Sequence, residues 1–282
     1  MNRSFRTAAV VVAIACAIVA GCENRSTAPT SSKPIEIKQV TITGASTLAP
    51  LLSEIAKRFE KENPSIRIDV QTGGSSRGVS DTRSDLADIG MVSRDLKPDE
   101  GDLQRFRIAR DGVCLIVHKD NPVPSLSREQ IVSIYTGGIR NWKDVGGVDS
   151  PITVVNKAEG RSTLEVFTGH FRIDSRKIHA DVVIGDNEQG VKTVAGNPLA
   201  IGYVSIGTAE YDRESGIPIR LLPLEGIEAS VKNVANGTFP MSRTLHLVTK
   251  SEPQGAIKEV IEFATSPKVY DLVRGLSFVP IE

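Results

Sequence analysis

Apolar positions along this chain recur in two rhythms. Gln39 to Thr43 sets Val40 and Ile42 on one face, the period-two pattern of a short strand. Leu48, Leu51, Leu52, Ile55 and Phe59 then recur at helical spacing, and Asn63-Pro64 stops that helix. Ile66 to Val70 reads as the next strand, Val79 to Leu86 as a helix and Ala87 to Met91 as a third strand. This βαβα order predicts an α/β fold whose sheet is parallel and mostly buried, with helices on both faces. Strands are also expected at Val113 to His118, Ile152 to Asn156, Val182 to Ile184, Ile201 to Ser205 and Thr244 to Thr249. Helices are expected at Ser127 to Tyr135, Ser162 to Phe171, Pro253 to Phe263 and Pro267 to Val273. The strand at Thr244 returns the chain to its first half. The expected architecture is two lobes, 36–115 with 245–282 and 116–244, joined by crossover strands near Val113–His118 and Arg243–Thr249. A cleft between two such lobes is a natural small-ligand site.

The N-terminus follows a different pattern. Arg3 and Arg6 precede an apolar run from Ala8 to Val19, too short to span a bilayer comfortably. The run ends in Val19-Ala20-Gly21-Cys22, small residues before a cysteine, which resembles a bacterial lipobox. Residues 1–21 are therefore expected to be a lipoprotein signal peptide, with Cys22 lipidated. Residues 22–35, rich in Ser, Thr and Pro, form a flexible tether. Cys114 then stands alone in an apolar strand, where a buried, inert thiol is expected.

Charge narrows the function. The 282 residues carry 34 Lys+Arg and 34 Asp+Glu, without the basic excess of a nucleic-acid-binding protein. The four His are scattered at no metal-ligand spacing, so neither a metal nor another cofactor is expected.

Three turns carry the candidate chemistry: Gly44-Ala45-Ser46-Thr47, Gly73-Gly74-Ser75-Ser76-Arg77-Gly78 and Glu159-Gly160-Arg161-Ser162-Thr163. Each precedes an expected helix. Free N–H groups at a helix N-terminus attract an anion, and glycine lets it approach the backbone. Ser and Thr add neutral donors; Arg77, Arg94 and Arg161 add charged ones. Any one such turn also reads as ordinary helix capping. Three together point to an oxyanion site.

The chain resembles the PstS family, the substrate-binding proteins of bacterial ABC phosphate importers. The resemblance rests on Gly44-Ala45-Ser46-Thr47-Leu48-Ala49-Pro50, Gly73 to Gly78, Ala87 to Met91 with Ser93-Arg94, and Ile134 to Gly138 with Asn141-Trp142. Ala200 to Val204, and Phe239-Pro240 with Ser242-Arg243, complete it. It implies a two-lobed periplasmic-binding fold of the type II, Venus-flytrap kind. The implied protein is a non-enzymatic, extracytoplasmic receptor, held on the membrane through lipid on Cys22. It binds phosphate as a monomer and hands it to a membrane permease. The implied phosphate ligands are Ser46, Thr47, Leu48, Gly74, Ser75, Ser93, Arg94, Arg161, Ser162 and Thr163.

Two positions depart from the family pattern. Ser93 stands where many members carry an Asp that accepts the proton of hydrogen phosphate and repels sulfate; the nearest acid is Asp95. Lys157 replaces an Arg before the third turn, and Arg161 replaces a small Ser. A receptor for sulfate or another tetrahedral oxyanion is therefore the alternative within the class. From other classes, Gly74-Ser75-Ser76-Arg77-Gly78 fits the G-x-S-x-G elbow of a serine hydrolase with Ser76 as nucleophile, and a surface adhesion or signalling lipoprotein is also open. Gly190-Val191-Lys192-Thr193 only faintly resembles a P-loop and reads as a helix start, with Asp186-Asn187 beside the cleft. Trp142 is expected to pack a loop, the alternative being a permease contact. Arg243 is expected at the hinge, paired with an acid.

Overall fold

The computed structural model of the chain describes residues 37–281. The signal sequence, Cys22 and the tether lie outside them. The first half alternates β1 (Lys38–Gly44), α1 (Ala49–Glu62), β2 (Ile66–Thr72), α2 (Ser75–Arg83) and β3 (Ile89–Val92), and the long β4 (Gln104–His118) leaves it. The second half runs α3 (Arg128–Tyr135), β5 (Thr153–Lys157), α4 (Ser162–Phe171), β6 (Val182–Ile184), α5 (Asn187–Ala195) and β7 (Ala200–Ser205). It continues through α6 (Ile206–Glu214), β8 (Ile219–Leu221) and α7 (Val231–Ala235). The chain then returns by β9 (Ser242–Thr249) and closes with α8 (Gly255–Ala264), α9 (Tyr270–Gly275) and β10 (Val279–Pro280).

The strands join in the order β2-β1-β3-β9-β4-β7-β5-β6, with β8 and β10 beside β4. Each half is parallel where the βαβ repeat made it so: β1 with β2 and β3, β5 with β6 and β7. The expectation of a wholly parallel sheet is corrected at the centre. There β9 runs antiparallel to β3 and β4, and β4 antiparallel to β7. A strand that returns the chain to its first half has to run back along its neighbours.

Two apolar cores make the molecule two-lobed. One gathers Ile42, Leu48, Leu51, Leu52, Ile55, Phe59, Ile89, Leu245, Leu247 and Val260. The other gathers Val113 to Val117, Tyr135, Trp142, Phe167 and Tyr203. β4 serves both, with Ile108 and Ala109 in the first core and Val113 onward in the second. Trp142 is fully buried and donates through Nε1 to Leu199 O at 2.9 Å, a packing role. Cys114 is a buried free thiol, and burial pushes its pKa well up.

α2 opens at Ser75, four residues before the apolar signal at Val79. Its first turn, Ser-Ser-Arg-Gly, is polar, and periodicity is blind to it. α6 and α7 were not expected at all; both are short and weakly patterned.

Candidate functional site

The three polar turns meet where the two halves face each other. In the first, Thr47 is buried, and its Oγ1 accepts from Asn187 Nδ2 and Arg243 Nη2, each at 3.2 Å. Ser46 beside it is half-buried. The second turn folds onto the first, with the N–H groups of Gly73 and Gly74 both donating to Gly44 O at 2.9 Å. Gly74 has φ +95°, and a Cβ there would come within 2.5 Å of Gly160 O in the third turn. Glycine is required at this point because backbone meets backbone across the cleft. Ser75 is fully buried and accepts the Ser93 N–H at 3.1 Å. Ser93 Oγ in turn lies 2.5 Å from Ser162 Oγ on the opposite half.

The helices behind these turns begin without side-chain caps: Leu48 before α1, Gly74 before α2 and Arg161 before α4. Their first N–H groups have no intrahelical acceptor. Ser162 and Thr163 are the first residues of α4 rather than its cap, so their hydroxyls bond across the cleft, to Ser93 and Arg243, rather than to their own helix.

Cationic groups complete the site. Lys157 ends β5, is only 2% exposed, and donates from Nζ to Asp186 O at 2.6 Å and Asn187 Oδ1 at 3.1 Å. Burial lowers its pKa to about 7, outweighing nearby Asp186; Arg243 and Arg161 push it the same way as burial. The Arg161 side chain makes no hydrogen bond or ion pair to any described residue, and its guanidinium lies beside Gly185. Arg243 on β9 stands opposite Asp111 on β4 and binds it from Nε at 3.1 Å and Nη2 at 2.8 Å. Its other contacts are Thr163 Oγ1 at 3.2 Å and Ser93 O at 3.1 Å. One guanidinium, anchored where the crossover strands pair, therefore fastens the first turn, the third turn and the backbone after β3. The acid expected beside Arg243 is Asp111.

Ala45, Ser46, Thr47, Gly74, Lys157, Arg161, Ser162, Thr163, Gly185 and Asn187 enclose a cavity of about 10 Å³. That is room for about one water and too small for a tetrahedral oxyanion.

Of the residues singled out by sequence, Ser46, Thr47, Gly74, Arg161, Ser162 and Thr163 form the wall. Ser75 and Ser93 stand behind it, hydrogen-bonded into the same network. Two lie elsewhere. Leu48 is fully buried in a core, and its N–H is spent on Ala45 O at 3.1 Å. The Arg94 guanidinium is bound to Glu100 and Glu165 rather than turned to the cavity. Asp95 is also outside the wall, its side chain 89% exposed and 3.8 Å from His246 Nε2. Among the described residues, no carboxylate side chain lines the cavity. Lys157 and Asn187 entered the wall from positions read only as a family replacement and a cleft neighbour. Ser76, at the centre of the G-x-S-x-G pattern, donates to Glu165 Oε1 at 3.3 Å rather than to a histidine.

A family model described as a PBP superfamily domain matches residues 27–268. The phosphate-binding protein PstS of Bacillus subtilis is 30% identical over 86% of this chain and 80% of its own length. Among solved structures, a phosphate ABC transporter substrate-binding protein with bound phosphate from Clostridium perfringens superposes with a TM-score of 0.80. It is 32% identical, over 87% of this chain and 100% of that one. An ABC-type phosphate transport receptor from Vibrio cholerae gives a TM-score of 0.71 at 29% identity, over 86% of this chain and all of its own.

Proposed function

Since the chain belongs to the PstS family of phosphate-binding proteins, within the PBP superfamily, we propose that it captures inorganic phosphate between its lobes and delivers it to the permease of an ABC importer. The protein is a transport receptor and not an enzyme. Such receptors work outside the cytoplasm. No helix among the described residues is long and apolar enough to cross a membrane, and lipid on Cys22 is the anchor we assign. The lobes are 36–115 with 245–282, and 116–244, acting as a monomer.

The observation that carries this reading is the ring of uncapped helix starts around one cavity, with Lys157 and Arg161 in its wall. Backbone N–H groups and the hydroxyls of Ser46, Thr47, Ser162 and Thr163 donate to the anion; the two cations balance its charge. Gly74 lets the turns close on it. Ser75 and Ser93 hold Ser162 in place. Closure excludes water and strengthens each of these bonds.

One observation favours a wider ligand range. A wall without a carboxylate side chain has no group that accepts a proton from hydrogen phosphate while repelling sulfate. Hydroxyl oxygens accept that proton but do not reject an ion lacking it. Calorimetric titration with phosphate, repeated in excess sulfate, tests both readings. Tight phosphate binding is expected, weakened by competing sulfate. Heat from neither anion would contradict the receptor function. Phosphate binding untouched by sulfate would remove the wider range.

A further inference from the structure

Away from the cavity and from the paired crossover strands, the Glu165 carboxylate ties the two lobes together. Glu165 lies in the first turn of α4, on the lobe whose core holds Phe167. Its partners all come from the other lobe. Arg94 Nε is ion-paired with Oε2; Lys97 Nζ is 3.0 Å and Ser76 Oγ 3.3 Å from Oε1. Glu165 is not part of the cavity wall.

Arg94 is built to present this edge. Its Nη1 and Nη2 grip Glu100 of its own lobe at 2.6 and 2.8 Å, and Nη1 also donates to Asp95 O at 3.0 Å. Burial opposes the charge on Glu100, and the paired guanidinium outweighs it, so its pKa lies below the ordinary value. Both side chains are 6% exposed. Arg94 is therefore fixed and neutralised within its own lobe, and its Nε edge remains for the other.

We propose that Glu165 is a latch: a positioning residue that favours the closed arrangement of the lobes and so slows release of the bound anion. When the lobes part, Arg94 keeps Glu100, while Glu165 and Lys97 return to water. The cross-lobe bonds exist in the closed state alone, and a contact made in one of two states shifts their equilibrium by its full free energy. Because the latch forms after capture, it acts on departure rather than encounter. The release half of this proposal rests on the phosphate reading; the lobe equilibrium does not.

The test uses the purified protein with spin labels at Leu86→Cys and Val183→Cys, both exposed and one on each lobe. Interlobe distances are measured by double electron–electron resonance without phosphate, and release of inorganic phosphate by stopped flow. E165Q is expected to lengthen the distances and speed release ~10-fold, the size of one charge-assisted hydrogen bond. Association should stay within about twofold, and E165D should restore most of the closure. Glu100 still neutralises Arg94 in E165Q, so thermal unfolding should be little changed. If E165Q does not fold, Lys97→Gln decides: among the described residues its half-exposed ammonium is ion-paired with Glu165 alone, and release should quicken ~3-fold. Unchanged distances and release in a folded variant overturn the latch. A wild type that binds no phosphate sinks the receptor reading, while the distances still decide the latch.

Discussion

α3 and α4 both start at a serine-bearing turn, and one residue of offset gives them different uses. Ser127 is the cap of α3: its hydroxyl accepts the Gln130 N–H at 3.2 Å, and the Gln130 side chain accepts the Ser127 N–H at 2.8 Å. Ser205 and Ser230 likewise accept the Thr208 and Asn233 N–H groups at the starts of α6 and α7, without the return bond. In α4 the cap position belongs to Arg161, so Ser162 is already inside the helix and its hydroxyl turns to the cleft. A capped start has satisfied its donors and is inert. An uncapped start keeps its N–H groups and its hydroxyls for something else, and three such starts share one cavity. Lack of a cap is not sufficient, since α8 also begins without one, far from any such cluster. Convergence makes the site.

The largest effect belongs to the pair that holds the first and third of the uncapped turns together. Asp111→Ala leaves Arg243 buried without its acid, in a position where both side chains are at most 2% exposed. Loss of one partner of such a pair costs about 3–5 kcal/mol of stability, read by denaturant unfolding. A smaller loss would mean that the turns stand without this anchor.

Next come the two kinds of helix start. Arg161→Ala should weaken phosphate binding by about 1.5–3 kcal/mol, as expected of a charged hydrogen bond, and leave stability unchanged because the Arg161 side chain makes no hydrogen bond or ion pair to a described residue. Ser162→Ala should cost about 1 kcal/mol in binding. Ser127→Ala should cost about 1 kcal/mol in stability and nothing in binding. Calorimetry and thermal unfolding on the three variants separate the two uses; a stability loss in all three would erase the distinction.

The smallest effect is a fraction of a proton. Lys157 has a folded pKa of about 7, below its ordinary value, chiefly because it is buried. Between these two values the unfolded chain binds more protons, so this group makes stability rise with pH across that window. An anion beside the ammonium favours the charged form. Binding at about pH 8 should therefore take up part of a proton, and Lys157's contribution to affinity should fall as pH rises through the bound-state pKa. Titration in buffers of different ionisation enthalpy measures the uptake, and Lys157→Met should abolish it.

The turns were legible because glycine, serine and threonine before an apolar helical stretch have local causes. So were both lobes' βαβ units. Strand direction was not: period-two spacing is the same read forward or backward, so the antiparallel β9 could not be told from a parallel strand. The partner of Arg243 was not legible either, since Asp111 meets it through a register set 132 residues away. Arg94 stood beside Ser93 in sequence and was assigned with it to the anion. Two acids, Glu100 and Glu165, compete for its guanidinium, and only the fold brings the second within reach.

The account turns on whether the three uncapped turns meet at one anion. A crystal structure of the protein grown with phosphate tests that directly. The account predicts phosphate within hydrogen-bond distance of Thr47, Ser162 and Thr163, with Lys157 and Arg161 beside it. Phosphate bound elsewhere, or an anion touching one turn alone, would contradict it.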